Sequence, residues 1–218
     1  MRTKATVSTL ASPSSLNLPP PFPFPSLLVP PPLCTHSTLP AQLANLECNA
    51  VSAVALSHHF LKRLVAAGKP GCIVLTSSAA AAIASPFTAL YAATKAFVSS
   101  FGASLAVEAR HRGVDVLVFH PSPVASRFYD KAHRLDVLDF FKGVAVHPDA
   151  LPPLVFGCIG KTVWRDIGST ALGFRLLMKV VDYNLMASMT ALAAPLLPDF
   201  KRAVAAGSGG GGKGKKAA

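Results

Sequence analysis

Two short runs of this chain are apolar at nearly every residue, and they limit its fold more than any other feature. They are Cys72-Ile73-Val74-Leu75-Thr76 and Val114-Asp115-Val116-Leu117-Val118-Phe119. A strand with one wet face alternates apolar and polar residues. A strand apolar throughout is covered on both faces, as in a parallel sheet. Between the two runs, from Thr88 to Arg110, Leu90, Phe97, Phe101, Leu105 and Glu108 keep a helical step, which Gly113 breaks. Before the first run, from Asn49 to Leu64, Val51, Val54, His58, Leu61 and Val65 recur at three and four; Gly68 and Pro70 end that pattern. Helix–strand–helix–strand with short links means βαβ crossovers and an α/β layer fold.

The composition can fill such a core. Half of the 218 residues are apolar (51%) and 14% are charged, which excludes a wholly disordered chain. The net charge of +11 sits mainly at the ends: residues 1–46 carry Arg2, Lys4 and no acid, and residues 201–218 carry five basic residues and no acid. The basic balance therefore describes the tails and implies no folded nucleic-acid face. Cys34, Cys48, Cys72 and Cys158 lack C-x-x-C spacing, so they read as reduced thiols rather than a zinc, redox or disulfide set. No uninterrupted apolar run approaches the ~20 residues of a membrane span.

Ten of the 19 prolines fall in residues 1–40. Proline fixes φ and lacks a donor, so residues 1–46 are expected to be a disordered, polyproline-like leader. A targeting peptide and a docking strip for a proline-binding module are the functional alternatives. Residues 201–218, Gly/Lys-rich from Gly207, are expected to be a flexible tail. Between these ends, 47–200 forms the expected domain. Past Pro121, a short helix is expected within Ser126–Phe141, another over Pro148–Ile159, and a last strand at Lys161–Trp164. Thr170–Leu192 reads as one amphipathic helix. Arg175, Lys179, Asp182 and Met186 line one face, and Leu172, Leu176, Leu177, Val180 and Met189 the other. Packing of the leucine face on the core is the usual outcome; lying in a membrane interface over 170–194 is the alternative.

The chemistry concentrates in Ser77-Ser78 and, thirteen positions past Ser78, Tyr91-Ala-Ala-Thr-Lys95. Tyr91 and Lys95 are four apart on a helix, so they share a face. An ammonium beside a phenol favours the phenolate and should lower the tyrosine pKa, fitting it for acid–base work. Ser78 follows a parallel strand, at the carboxyl rim where such sheets bind ligands. Its hydroxyl could hold a carbonyl oxygen while Tyr91 donates a proton. The adjacent His58 and His59 point apart and cannot share a metal; His58, on the apolar stripe, reads as a core or interface histidine. Asp136 and Asp139 near Arg134 read as a solvated face; Trp164 and Arg165 read as packing, with lining a pocket the alternative.

The stretch "IVLTSSAAAAIASPFTALYAATKAFVSSF" resembles the active-site segment of the short-chain dehydrogenase/reductase family. The surrounding "YAATKAFVSSFGASLAVEARHRGVDVLVFHPSPVAS" is most similar to its branch acting on 3-oxoacyl-CoA esters and 17-oxosteroids. The resemblance implies Ser78 as substrate-orienting serine, Tyr91 as acid–base, and Lys95 as holder of the nicotinamide ribose. Asn49 stands where the family's catalytic asparagine belongs. The family's P-G-x-V-x-T appears as Pro121-Ser-Pro-Val124-Ala-Ser126, so Pro121, Val124 and Ser126 join Tyr91 and Lys95 as candidate cofactor residues.

The implied fold is α/β: a partial Rossmann-like parallel sheet of about three strands with disordered N- and C-terminal tails. It would be the C-terminal half of a doubly wound fold, with one open edge. No glycine precedes Asn49, whereas the family's phosphate-binding turn is glycine-rich. The expectation is an N-terminally truncated member that uses NADP or NAD. The substrate, a carbonyl or alcohol, would enter between Ser78–Tyr91 and the Pro121–Gly143 loop. A homodimer through the 49–66 and 88–112 helices is implied. So is a place in the cytoplasm, on the cytoplasmic face of the endoplasmic reticulum, or in a plastid if the leader is a transit peptide. The competing expectation is a non-catalytic remnant acting through dimerisation or membrane association.

Overall fold

The computed structural model describes residues 38–126 and 143–208. The expectations for residues 1–37, for the helix within Ser126–Phe141, for Arg134, Asp136 and Asp139, and for residues 209–218 lie outside the described residues.

Three strands form one parallel sheet in the order β1 (Gly71–Thr76), β2 (Val114–Pro121), β3 (Trp164–Ile167). Gly71 pairs with Val114 and Thr76 with Phe119; Val118 pairs with Trp164 and Pro121 with Ile167. The last strand starts three residues later than the sequence suggests, since Thr162 turns back onto Trp164 before pairing begins. Among the described residues, β1 has no neighbour on its outer edge.

The apolar runs are explained by two cores. Ile73, Leu75, Val114, Val116 and Val118 face Val98, Leu105, Ala106 and Ala109 of the long helix α3 (Ala89–Arg110). Leu117 and Ile167 point the other way, against Val155 of α4 (Leu151–Phe156). Burying each such side chain contributes roughly 1.5–3 kcal/mol. The face of α3 toward the sheet consists of small residues: Ala92, Thr94, Val98, Ser99 and Gly102 are buried, whereas Phe97 is exposed and stacks with Phe101. Of the expected stripe, Leu105 is buried and Phe101 packs partly against the core, while Phe97 lies off the sheet. Gly102 shows why. A Cβ there would overlap Val118 and approach Leu75 Cδ1 to 2.8 Å, so helix and sheet sit too close for anything larger.

Preceding β1 is one continuous helical rod. Helix α1 (Leu39–Leu46), a π-turn (Glu47–Val51) and α2 (Ser52–Ala67) follow without a break. The last eight residues of the expected disordered leader are thus helical, started by Leu39-Pro40, where proline's missing donor costs nothing. The extra residue in the π-turn rotates the following face. Ala50, Ala53 and Ser57 turn inward, and Val51, Val54 and His58 outward. His58 is therefore exposed, not a core histidine. Gly68 ends α2 in the left-handed region, its N–H donating to Val65 O at 3.1 Å.

Beyond β3, the single expected helix is two: α5 (Ser169–Val180) and α6 (Tyr183–Ala193). Val181 is extended, and the Asp182 carboxylate accepts from the N–H groups of Asn184 and Leu185, which starts a new helix. The orientation of α5 is also the reverse of the expected packing. Ala171 is buried and Arg175 is turned inward, while Leu172, Leu176 and Val180 are exposed. Helix α7 (Pro198–Ser208) follows, so residues 201–208 of the expected flexible tail are helical.

Candidate active site

The carboxyl end of β1 delivers the two serines. Ser77 N–H extends the ladder to Phe119 O at 2.9 Å, and its side chain is buried. Ser78 is extended and caps a short 3-10 turn (Ala79–Ala82), its Oγ accepting from Ala80 N–H at 3.2 Å. Thirteen residues on, the first turns of α3 bring Tyr91 and Lys95 back over this end. The Ser78 side chain approaches the Tyr91 phenol closely enough to act on its pKa. Lys95 Nζ lies 5.7 Å from the Tyr91 ring centroid and donates to Thr76 O at 3.1 Å. Serine, tyrosine and lysine thus converge at the ligand-binding rim of the sheet.

The electrostatics differ from the expectation in one respect. Burial pushes the Tyr91 phenol above its usual value, with the Ser78 side chain working the other way. The expected depression by lysine is absent because the ammonium lies over the ring and is itself desolvated: burial lowers Lys95, and the nearby Cys48 works against that. At neutral pH the phenol is protonated, the form that donates.

Asn49 sits inside the π-turn, which packs on α3; its amide donates to Asn45 Oδ1 at 3.0 Å. Such turns recur at functional positions because they aim groups a regular helix cannot. Pro121 ends β2, Val124 bridges to Val146, and Ser126 N–H returns to Val124 O at 2.8 Å. The serine between them has a separate task. Ser122, 2% exposed, accepts from Ala171 N–H at 3.0 Å and so caps α5, with Gly168 close against it at φ 90°.

Sequence reasoning missed the supports beneath the site. Lys95 O accepts from Ser77 Oγ at 2.9 Å and from Ser99 Oγ at 2.8 Å. Ser99 Oγ also lies 2.8 Å from His120 Nε2. His120, 1% exposed, stacks on Trp164 at 4.1 Å, and the Arg175 guanidinium covers the same indole at 4.3 Å. Arg175 pairs with Asp166 at 3.1 Å. The only hint in the sequence was a polar residue, His120, inside an apolar strand. Cys48, next to Asn49, was likewise read only as an inert thiol.

A cavity of about 590 Å³ lies against the same turn of α3. Its walls include Ile83, Pro86, Ala89, Ala93, Tyr183 and Phe200. It is thus bounded by α6 and α7; residues 127–142 of the loop expected to border the substrate lie outside the described residues. Phe87, at φ 67°, is held at its edge with its ring 6.1 Å from Phe200.

This sheet, covered by helices on both faces with its polar cluster at the strand ends, defines a Rossmann-like α/β protein. The short chain dehydrogenase family pattern matches residues 38–135, a little under half of the chain. Over 81 residues it is 35% identical to the uncharacterized oxidoreductase YbbO of Escherichia coli (strain K12), covering 36% of this chain and 30% of that protein. It is 36% identical over 81 residues to mouse 17-beta-hydroxysteroid dehydrogenase type 3, covering 37% of this chain and 26% of that one. The chain thus matches less than a third of the length of these relatives. Among solved structures, a 7beta-hydroxysteroid dehydrogenase aligns with TM-score 0.60 and 20% identity, over 72% of this chain and 61% of that one. A Burkholderia cenocepacia short chain dehydrogenase in complex with NADP aligns with TM-score 0.58 and 19% identity, over 78% and 65%.

The described residues fit one end of a nicotinamide cofactor. Lys95 spends one of its three donors on Thr76 O, and Tyr91 presents its hydroxyl beside it, so these two would hold the nicotinamide ribose. A pyrophosphate needs glycine-exposed amides at a helix N-terminus. The candidate at Gly168 is filled by Ser122 and Val146.

Proposed function

We propose that this chain serves an NAD(P)-dependent oxidoreductase, interconverting a carbonyl and an alcohol with Tyr91 as acid–base. The observation that carries this reading is the convergence of Ser78, Tyr91 and Lys95 at the carboxyl end of β1, with Lys95 Nζ 5.7 Å from the Tyr91 ring centroid. A bound nicotinamide supplies or accepts the hydride. In the reducing direction Ser78 Oγ donates a hydrogen bond to the substrate's carbonyl oxygen. Tyr91, protonated at neutral pH, hands its proton to that oxygen as it becomes a hydroxyl. Lys95, fixed through Thr76 O, would hold the nicotinamide ribose beside Tyr91, and Asn49 shapes the approach to Lys95. The backbone from Pro121 to Ser126 would receive the nicotinamide amide. An apolar substrate body, acyl or steroid-like, suits the Ile83–Phe200 cavity, and the similarity to hydroxysteroid dehydrogenases supports that class.

The direct test titrates the full chain with NADPH and with NADH, following nicotinamide fluorescence, and then assays reduction of long-chain and steroid ketones. Saturable binding and turnover are expected. Tyr91→Phe should lower kcat by about 10²–10⁴ with cofactor affinity intact. A chain that binds neither nucleotide fits the second reading, a non-catalytic protein; its support is that only the nicotinamide end finds holders among the described residues.

A further inference from the structure

We propose that the outward faces of α5 and α6 form a docking surface for an anionic lipid bilayer. Both helices carry their apolar stripe on the wrong side for a core. On α5, Leu172, Leu176 and Val180 repeat every four residues and are exposed, Val180 to 87%. On α6 and the turn after it, Leu185, Met189, Leu192 and Leu196 keep a helical step and are exposed, Leu192 to 79%. Of the two charged residues of α5, Arg175 is spent inside on Asp166 and Trp164, while Lys179 stays exposed. An apolar face of this extent needs a cover.

Charge identifies the cover. From residue 169 to the end the chain has seven basic residues and two acids, Asp182 and Asp199. Both acids are already engaged: Asp182 caps α6, and Asp199 pairs with Arg202 at 3.2 Å. Lys179 and Lys201 are exposed, and three more lysines follow in the sequence. A second copy brought face to face would juxtapose like charges, which opposes self-pairing. An anionic bilayer satisfies both needs: apolar stripes enter the headgroup–acyl boundary, and lysines reach lipid phosphates. Because α6 also walls the cavity beside α3, docking would set that cavity's wall in lipid. The proposal does not depend on the oxidoreductase reading.

Flotation of the full chain tests it, using phosphatidylcholine vesicles with and without phosphatidylserine at roughly a third. The chain should float with the anionic vesicles and be released by about 0.5 M salt. L176E combined with L192E should lower partitioning at least tenfold while far-UV circular dichroism and melting stay unchanged, both residues being exposed. K179Q combined with K201Q should weaken anionic-vesicle binding about tenfold and leave neutral-vesicle binding unaltered. Absence of flotation overturns the proposal, as does equal flotation of L176E/L192E. If that double variant instead abolishes lipid-free self-association seen by sedimentation, and neither protein floats, the face covers a second copy and the bilayer assignment is wrong.

Discussion

His120 is the residue whose environment is most at odds with its chemistry. It is 1% exposed, and Nδ1 lies 3.7 Å from Asp166 Oδ1. Its pKa is pushed down to about 4, first by burial; Asp166 opposes this, Arg175 adds to it, and the Arg165 backbone opposes it. The folded value is below the unfolded 6.5, so between those limits the unfolded chain binds the extra proton. Stability from this group is complete above pH 6.5 and is lost as pH falls toward 4, by on the order of 3 kcal/mol. Urea melts from pH 7 to 4.5 should show that slope, and His120→Gln should flatten it whatever its absolute stability. Ser99→Ala removes a hydrogen bond from Lys95 O and leaves His120 Nε2 without its hydroxyl. A cost of about 1–3 kcal/mol is expected in the same melts. Tyr91 makes the complementary point. The spacing of the motif placed its hydroxyl against Ser78, but the direction of its pKa depends on how deeply the ring is covered, which no spacing encodes.

At the scale of elements, the strands were legible because two-sided burial leaves a mark in every residue of β1 and β2. Helix existence was legible too, but helix faces were not. The π-turn at Glu47–Val51 inserts a rotation that no periodicity count sees. In α3 the sheet selected small residues rather than the largest apolar ones. Gly102 and Gly173 separate these effects. In open helix, Gly→Ala gains up to ~1 kcal/mol. Gly173, with nothing within 4 Å of its would-be Cβ, should show that gain as a raised urea midpoint. Gly102→Ala meets the same propensity, but its methyl collides with Val118, itself 0% exposed and β-branched. Overpacking at ~1–3 kcal/mol outweighs it, so the midpoint should fall. The break between α5 and α6 was encoded in Asp182 and overlooked because the leucine spacing runs across it. Asp182→Ala should cost about 1 kcal/mol by the same assay.

For the whole molecule, the question is what covers the second apolar face, the outer side of α2 and α3. Val51, Val54, Leu56, Phe60, Phe97 and Val107 are all exposed there, and the Phe97 and Phe101 rings stack parallel, centroids 6.0 Å apart. This face is separate from the α5–α6 stripes, and its helices carry Glu47 and Glu108 beside Lys62, Arg63 and Arg110. With Phe97 and Phe101 stacked as an aromatic anchor, a second copy of the chain is the cover to test here. One aromatic anchor at the centre of such an interface exceeds ~1.4 kcal/mol, a factor of ten in Kd. Sedimentation of the full chain across a concentration series should show a monomer–dimer equilibrium that Phe97→Lys shifts at least tenfold toward monomer. Leu192→Glu should leave that equilibrium where it is. Equal dimerisation by Phe97→Lys would place the contact elsewhere, with the outer edge of β1, unpaired among the described residues, the next candidate, since an apolar strand edge is itself a template for pairing.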